Sequence, residues 1–211
     1  MKKLLCLCLA LVLTGCTTAP STPSATPTQS SEANKPGCDI SVDCDVEGEK
    51  ADMSAYQDFM DTDHVFKEIT MAQANELLES NKTFVLYYGF STCPWCIEVL
   101  PILNDVAKEN GMSIEYVNVR PEGTDSTNDI RVDTNPDYVK LVELTSEYLS
   151  ENDEGAKRLY VPFVFFVKDG QIVATHEATF DEHDAHERKM TEDEVSRLTA
   201  IYEEGFANLK K

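Results

Sequence analysis

Basic side chains are scarce: 18 Lys and Arg stand against 38 Asp and Glu in 211 residues, a formal net charge of −20. A protein that tracks a phosphate backbone needs a basic footprint, so nucleic-acid binding is excluded as a function class. The same deficit repels the chain from anionic headgroups, so any attachment to a membrane has to be hydrophobic. Tryptophan occurs once, at Trp95. The sequence has no apolar run long enough to span a bilayer and leave a soluble domain intact. What remains, 42% hydrophobic and 27% charged, is the composition of one ordinary folded domain with room to spare.

Lys2 and Lys3 precede an apolar run from Leu4 to Leu13, the layout of a signal peptide. Leu13-Thr14-Gly15-Cys16 follows and resembles the bacterial lipobox, in which small residues precede a cysteine that becomes the lipidated N-terminus after cleavage. The resemblance implies a lipid on Cys16 and a two-chain anchor strong enough to hold the protein at the cell membrane. It also implies the extracytoplasmic face, where disulfides form and persist. From Thr17 to Pro36 thirteen of twenty residues are Ser, Thr or Pro. Such a stretch buries too little apolar surface to offset ordering its backbone, and reads as a tether able to reach ~50 Å. The chain thus divides into a signal (1–15), a lipidated cysteine with its tether (16–37), an acidic segment with a cysteine pair (38–63) and a folded domain beginning near His64 (64–211). Of seven cysteines, Cys6 and Cys8 leave with the signal and Cys16 takes the lipid, which leaves Cys38, Cys44, Cys93 and Cys96.

Within the last segment the pattern alternates. Val65–Ile69 is a strand candidate, and Thr70 caps a helix with Ala74, Leu77 and Leu78 on one face. Thr83–Tyr88 is β-branched and aromatic, as a strand buried on both faces requires. A helix over 94–109, a strand over 114–119, and a helix opened by Asn135-Pro136 follow, the last burying Tyr138, Val139, Val142 and Leu149. Phe163–Val167 is a second buried strand, and Asp169-Gly170 turns it into 171–175. Thr191 to Glu194 is a capping box that opens a helix with Val195, Leu198, Tyr202 and Leu209 inward. The order βαβαβαββα predicts an α/β fold with a central mixed sheet.

Cys93-Pro94-Trp95-Cys96 falls between a buried strand and a helix start. Two cysteines three apart can close a small disulfide ring there, and the first lies over unpaired backbone N–H groups and the positive end of the helix dipole, which favour its thiolate. Cys93 is therefore the expected nucleophile, with Cys96 one turn inward to resolve the mixed disulfide. A CxxC can also be half of a zinc site, but no second pair lies in the domain at ribbon spacing, so no metal is expected. No cofactor is implied either, because the two sulfurs carry the electrons.

These residues resemble the thioredoxin superfamily, over roughly Val65 to Leu209. Pro101 matches the family's proline inside the active-site helix, Val161-Pro162 its cis-proline site, and Lys168 to Gln171 the hairpin between its last two strands. The resemblance implies a thioredoxin-like fold and a thiol–disulfide oxidoreductase acting on cysteines of exported proteins, coupled to a membrane electron donor or acceptor. It makes the backbone of Val161, beside Pro162, a pairing site for substrate, with Trp95 and Phe163 as apolar contacts. Lipid-anchored thioredoxin-like proteins, including the bacteriocin-accessory type with a CPxC dithiol, are similar in layout. Two positions depart from the family: Tyr87 and Tyr116 stand where many thioredoxins carry a buried aspartate and a lysine. The alternative is a thioredoxin-fold accessory lipoprotein that binds a partner protein or metal and keeps CPWC as a structural disulfide.

Weaker constellations have blander readings. Cys38 and Cys44 fit a structural clip, a second redox pair, or unpaired thiols. Asp43, Asp45 and Glu47 begin like a calcium loop, but Ser54 stands where its glutamate belongs, so they read as a solvated acidic run. His176, His183 and His186 lie among polar residues and read as a surface loop rather than a zinc or copper site, and the stretch from Pro121 to Thr134 as a tolerated surface insertion rather than a loop that shapes a partner site.

Overall fold

The computed structural model describes residues 48–121 and 126–211. Cys16, the tether, Cys38 and Cys44 lie outside the described residues. The sheet is built from β1 (Glu49–Lys50), β2 (Phe66–Glu68), β3 (Phe84–Gly89), β4 (Ile114–Asn118), β7 (Phe163–Lys168) and β8 (Gln171–Glu177), in the spatial order β1-β2-β4-β3-β7-β8. β2, β4 and β3 run parallel, while β1, β7 and β8 pair antiparallel with their neighbours. A separate hairpin joins β5 (Ser150–Glu151) to β6 (Lys157–Arg158). Four α-helices complete the domain: α1 (Met71–Leu78), α2 (Pro94–Glu109), α3 (Pro136–Thr145) and α4 (Glu192–Leu209). α1 packs on α3, α2 packs on α4, and α4 lies over β7 and β8. This is an α/β, thioredoxin-like fold with a mixed sheet flanked by helices.

Local chemistry explains the element ends. Thr70 and Thr191 close capping boxes with Gln73 and Glu194, and the Asn135 side chain accepts the Asp137 N–H. Asp169 and Gly170 both take positive φ (49° and 76°), the conformation a two-residue hairpin demands. β3 and β7 are buried throughout, apart from the half-buried Lys168, because helices cover both faces. On the α2/α4 face, Phe166 packs edge-on against Phe206 at 5.3 Å. On the other, Tyr88 meets Phe165 at 6.0 Å.

Three expectations change. Val139 and Val195 sit at the rim of their helices, 38% and 36% exposed, because the stripes that bury Tyr138 and Leu141, and Leu198 and Tyr202, already fill the interface. The folded region also starts ahead of His64: β1 extends the sheet edge, and Ala51, Met53 and Tyr56 enter the core. Acidic composition hid this, since the carboxylates alternate with the apolar side chains that face inward.

Candidate active site

β3 ends at Gly89, and the turn after it carries Phe90, whose carbonyl accepts the Cys93 N–H at 3.2 Å. That turn delivers Cys93 to the N-cap of α2 with extended backbone (φ −77°, ψ 116°). Pro94 occupies the first helical position, where a missing N–H costs nothing. A sulfur here does what a serine oxygen usually does at a cap: Cys93 Sγ accepts the Cys96 N–H at 3.2 Å. Cys96 points inward on the stripe shared with Val99, Leu100, Leu103 and Ala107, and is fully buried. Both cysteines are present as thiols.

The two sulfurs differ in environment. The Cys93 thiol is held below its ordinary range, first by a hydrogen bond from the Cys96 thiol, then by the Cys96 amide, the Arg131 charge and the Trp95 amide, against a burial cost. Burial pushes the Cys96 thiol well up, and the neighbouring Cys93 sulfur adds to that. One sulfur is thus shifted towards its thiolate and the other towards its thiol, the direction of asymmetry that a nucleophile and a resolving thiol would need.

The Val161–Pro162 peptide bond is cis, and the Val161 carbonyl accepts from Cys93 Sγ at 3.7 Å. The Val161 backbone therefore lies beside the dithiol. Phe163 does not offer a surface: it is buried and packs against Phe165 with ring centroids 4.5 Å apart. Trp95 is half-buried, its Nε1 donating to the His183 carbonyl at 3.4 Å while His186 sits edge-on at 4.8 Å.

Two groups of residues around the dithiol escape the sequence reading. The first is ionic. Arg131 makes a bidentate pair with Asp129 (2.9 and 2.6 Å) and donates to the Leu159 carbonyl at 3.1 Å, while Arg120 adds a bond to Asp129 at 3.2 Å. Arg120 also lies 3.9 Å over the Phe90 ring. Part of the expected insertion is therefore folded onto the turn that precedes Cys93 rather than tolerated at the surface. Its only sequence signal is an Arg-x₈-Asp-x-Arg spacing from Arg120 to Arg131 in an otherwise acidic loop.

The second is the histidine segment. His183 is buried, not on a surface loop, because both ring nitrogens find partners: Thr179 Oγ1 at 2.8 Å and the Arg188 carbonyl at 3.0 Å. Glu98 accepts the Met190 N–H at 2.6 Å and ties the segment to α2. The three histidines are not brought together: His176 packs on Tyr202, His183 on Thr179 and His186 on Trp95.

No family model matches this chain. Among solved structures it is similar to thioredoxin O2 from Arabidopsis thaliana in its oxidized state, at 16% identity and a TM-score of 0.37, over 67% of this chain and 94% of that one. The fold rests on its own topology: three parallel strands, an antiparallel β7–β8 hairpin beside β3, and a helix that begins at a Cys-Pro-Trp-Cys turn facing a cis-proline.

Proposed function

We propose that this protein is a thiol–disulfide oxidoreductase, anchored through a lipid on Cys16 to the extracytoplasmic face of the cell membrane. It exchanges disulfides with cysteines of exported proteins and passes electrons to or from a membrane partner. The observation that carries the reading is the unequal dithiol at the α2 N-terminus: Cys93 capped by the Cys96 N–H, Cys96 sealed beneath it, and Val161 at 3.7 Å. Cys93 attacks a substrate disulfide, a mixed disulfide forms, and Cys96 displaces the substrate thiolate while closing the Cys93–Cys96 bond. Val161 supplies backbone for an extended substrate segment to pair with, and Trp95 an apolar neighbour for it. The reverse sequence oxidises a substrate dithiol.

One observation favours a second reading, a binding lipoprotein with a structural CPWC disulfide: Cys93 is only 4% exposed. Turnover separates the two. With a disulfide-bonded protein substrate and excess dithiothreitol, the full chain should accelerate substrate reduction, and Cys93→Ser should abolish the acceleration. Acceleration that survives Cys93→Ser, or none with the unaltered chain, rejects the oxidoreductase reading.

A further inference from the structure

Resolution requires Cys96 to become a thiolate in a place where burial opposes it. Among the described residues, neither a carboxylate base nor a lysine is among the groups that shift that thiol. The ionisable groups around the sulfur are Cys93 on its own helix and the phenols of Tyr56, Tyr87, Tyr116 and Tyr202. Tyr56 and Tyr116 use their hydroxyls on each other, at 3.1 Å. Tyr87, on β3, is fully buried; among the described residues its Oη has no partner in regular hydrogen-bond geometry, although Tyr56 and the Cys96 sulfur lie near enough to be influenced by it. A buried hydroxyl left unpaired is costly, and a moment at which it is paired offsets that cost.

The placement of Tyr87 is specific. Its ring stacks on Tyr116 at 5.6 Å and 23°, and leans on Phe66 at 5.9 Å, so it has little room to turn. Its hydroxyl is carried towards the C-terminal end of β3, where the chain has a glycine: a Cβ at Gly89 would sit 2.4 Å from Tyr87 Oη. From that end the chain turns directly into Cys93 and α2. A phenol donating to the Cys96 sulfur lowers the proton affinity of that thiol, as the Phe90 amide does. Tyr202 Oη is likewise unpartnered, but it sits on α4 and is not among the groups that shift the Cys96 thiol.

We propose that Tyr87 is a positioning residue for the resolving cysteine, its phenol donating a hydrogen bond to the Cys96 sulfur as the thiolate forms. The inference rests on the oxidoreductase reading and assigns it a missing part. In the step itself the Cys96 thiol gives up its proton and its sulfur attacks Cys93 Sγ. The bond from Cys93 to the substrate sulfur breaks, its electron pair leaves on that sulfur, and the sulfur takes up the proton. Over the two exchanges Cys93 and Cys96 together lose two electrons and the substrate disulfide gains them. Tyr87 keeps its own proton throughout.

A symmetrical aromatic disulfide tests this in the full chain, with Cys38→Ser and Cys44→Ser present throughout. The first aromatic thiol released reports attack by Cys93, the second reports resolution by Cys96. Tyr87→Phe should leave the first release unchanged and slow the second about tenfold at neutral pH, moving its pH profile about one unit alkaline. Tyr202→Phe should change neither. Gly89→Ala, which keeps the phenol but displaces its hydroxyl, should slow the second step in the same direction, and decides the matter should Tyr87→Phe not fold. A second release within twofold of the unaltered rate with an unmoved pH profile, or an equal effect of Tyr202→Phe, overturns the assignment while leaving the oxidoreductase reading in place. Absence of any second release from the unaltered dithiol overturns both.

Discussion

Cys96→Ala should turn the protein into a trap. Cys93 keeps its place at the N-cap of α2, and the backbone N–H of residue 96 still points at its sulfur, because alanine preserves the helix. Attack on a substrate disulfide therefore proceeds, but no thiol remains beneath to displace the substrate. Mixed disulfides with exported proteins should accumulate on non-reducing gels and vanish on reduction. Cys93→Ala should trap far less, since Cys96 is fully buried and a bulky disulfide has no access to it. The contrast between the variants carries the information. Equal trapping by both, or none by either, contradicts the assigned roles.

Arg131→Met should both destabilise the fold and blunt the nucleophile. Arg131 is 7% exposed and holds Asp129 by two bonds, so its loss leaves a nearly buried carboxylate with Arg120 alone. Breaking a buried pair on one side costs several kcal/mol, and with Arg120 remaining we expect roughly 3 kcal/mol in urea unfolding. The Leu159 carbonyl loses its donor as well, two residues before Val161. Removing the positive charge also takes away one of the influences that hold the Cys93 thiol low. The pH profile of Cys93 alkylation should move to higher pH, with a several-fold loss of rate at neutral pH. An unmoved profile would mean that Arg131 serves the fold and not the sulfur.

How much of this was legible in the sequence follows from the range of the interactions. Capping boxes, the Asp169-Gly170 turn and the Cys-Pro-Trp-Cys helix start are encoded within a few residues, and they stand where the local chemistry puts them. The buried β3 and β7 announce themselves by unbroken apolar runs. Long-range polar pairing leaves no such trace. His183 reads as a loop histidine until Thr179 and the Arg188 carbonyl close around it. Arg131 looks like one more surface charge until its bonds to Asp129 and the Leu159 carbonyl are seen, with its guanidinium 6.0 Å from the Phe90 ring. Tyr56 sits in a stretch whose acidity suggests solvent, yet its hydroxyl meets Tyr116 across 60 residues of chain. Burial of a polar group depends on partners brought from elsewhere, and one-dimensional patterning does not report them.

The dithiol itself is the claim on which the rest depends, and the protein carries its own probe. Trp95 is the only tryptophan and lies between the two cysteines, fixed by its bond to His183. A disulfide quenches a neighbouring indole, so reduction should raise the emission. The direct measurement is Trp95 fluorescence of the folded chain, titrated against a glutathione or dithiothreitol couple. A single two-electron transition, with about 30 mV per tenfold change in the oxidised-to-reduced ratio, is the predicted result. Emission that ignores reductant in folded protein would show that the Cys93–Cys96 pair does not cycle, and would contradict the oxidoreductase account.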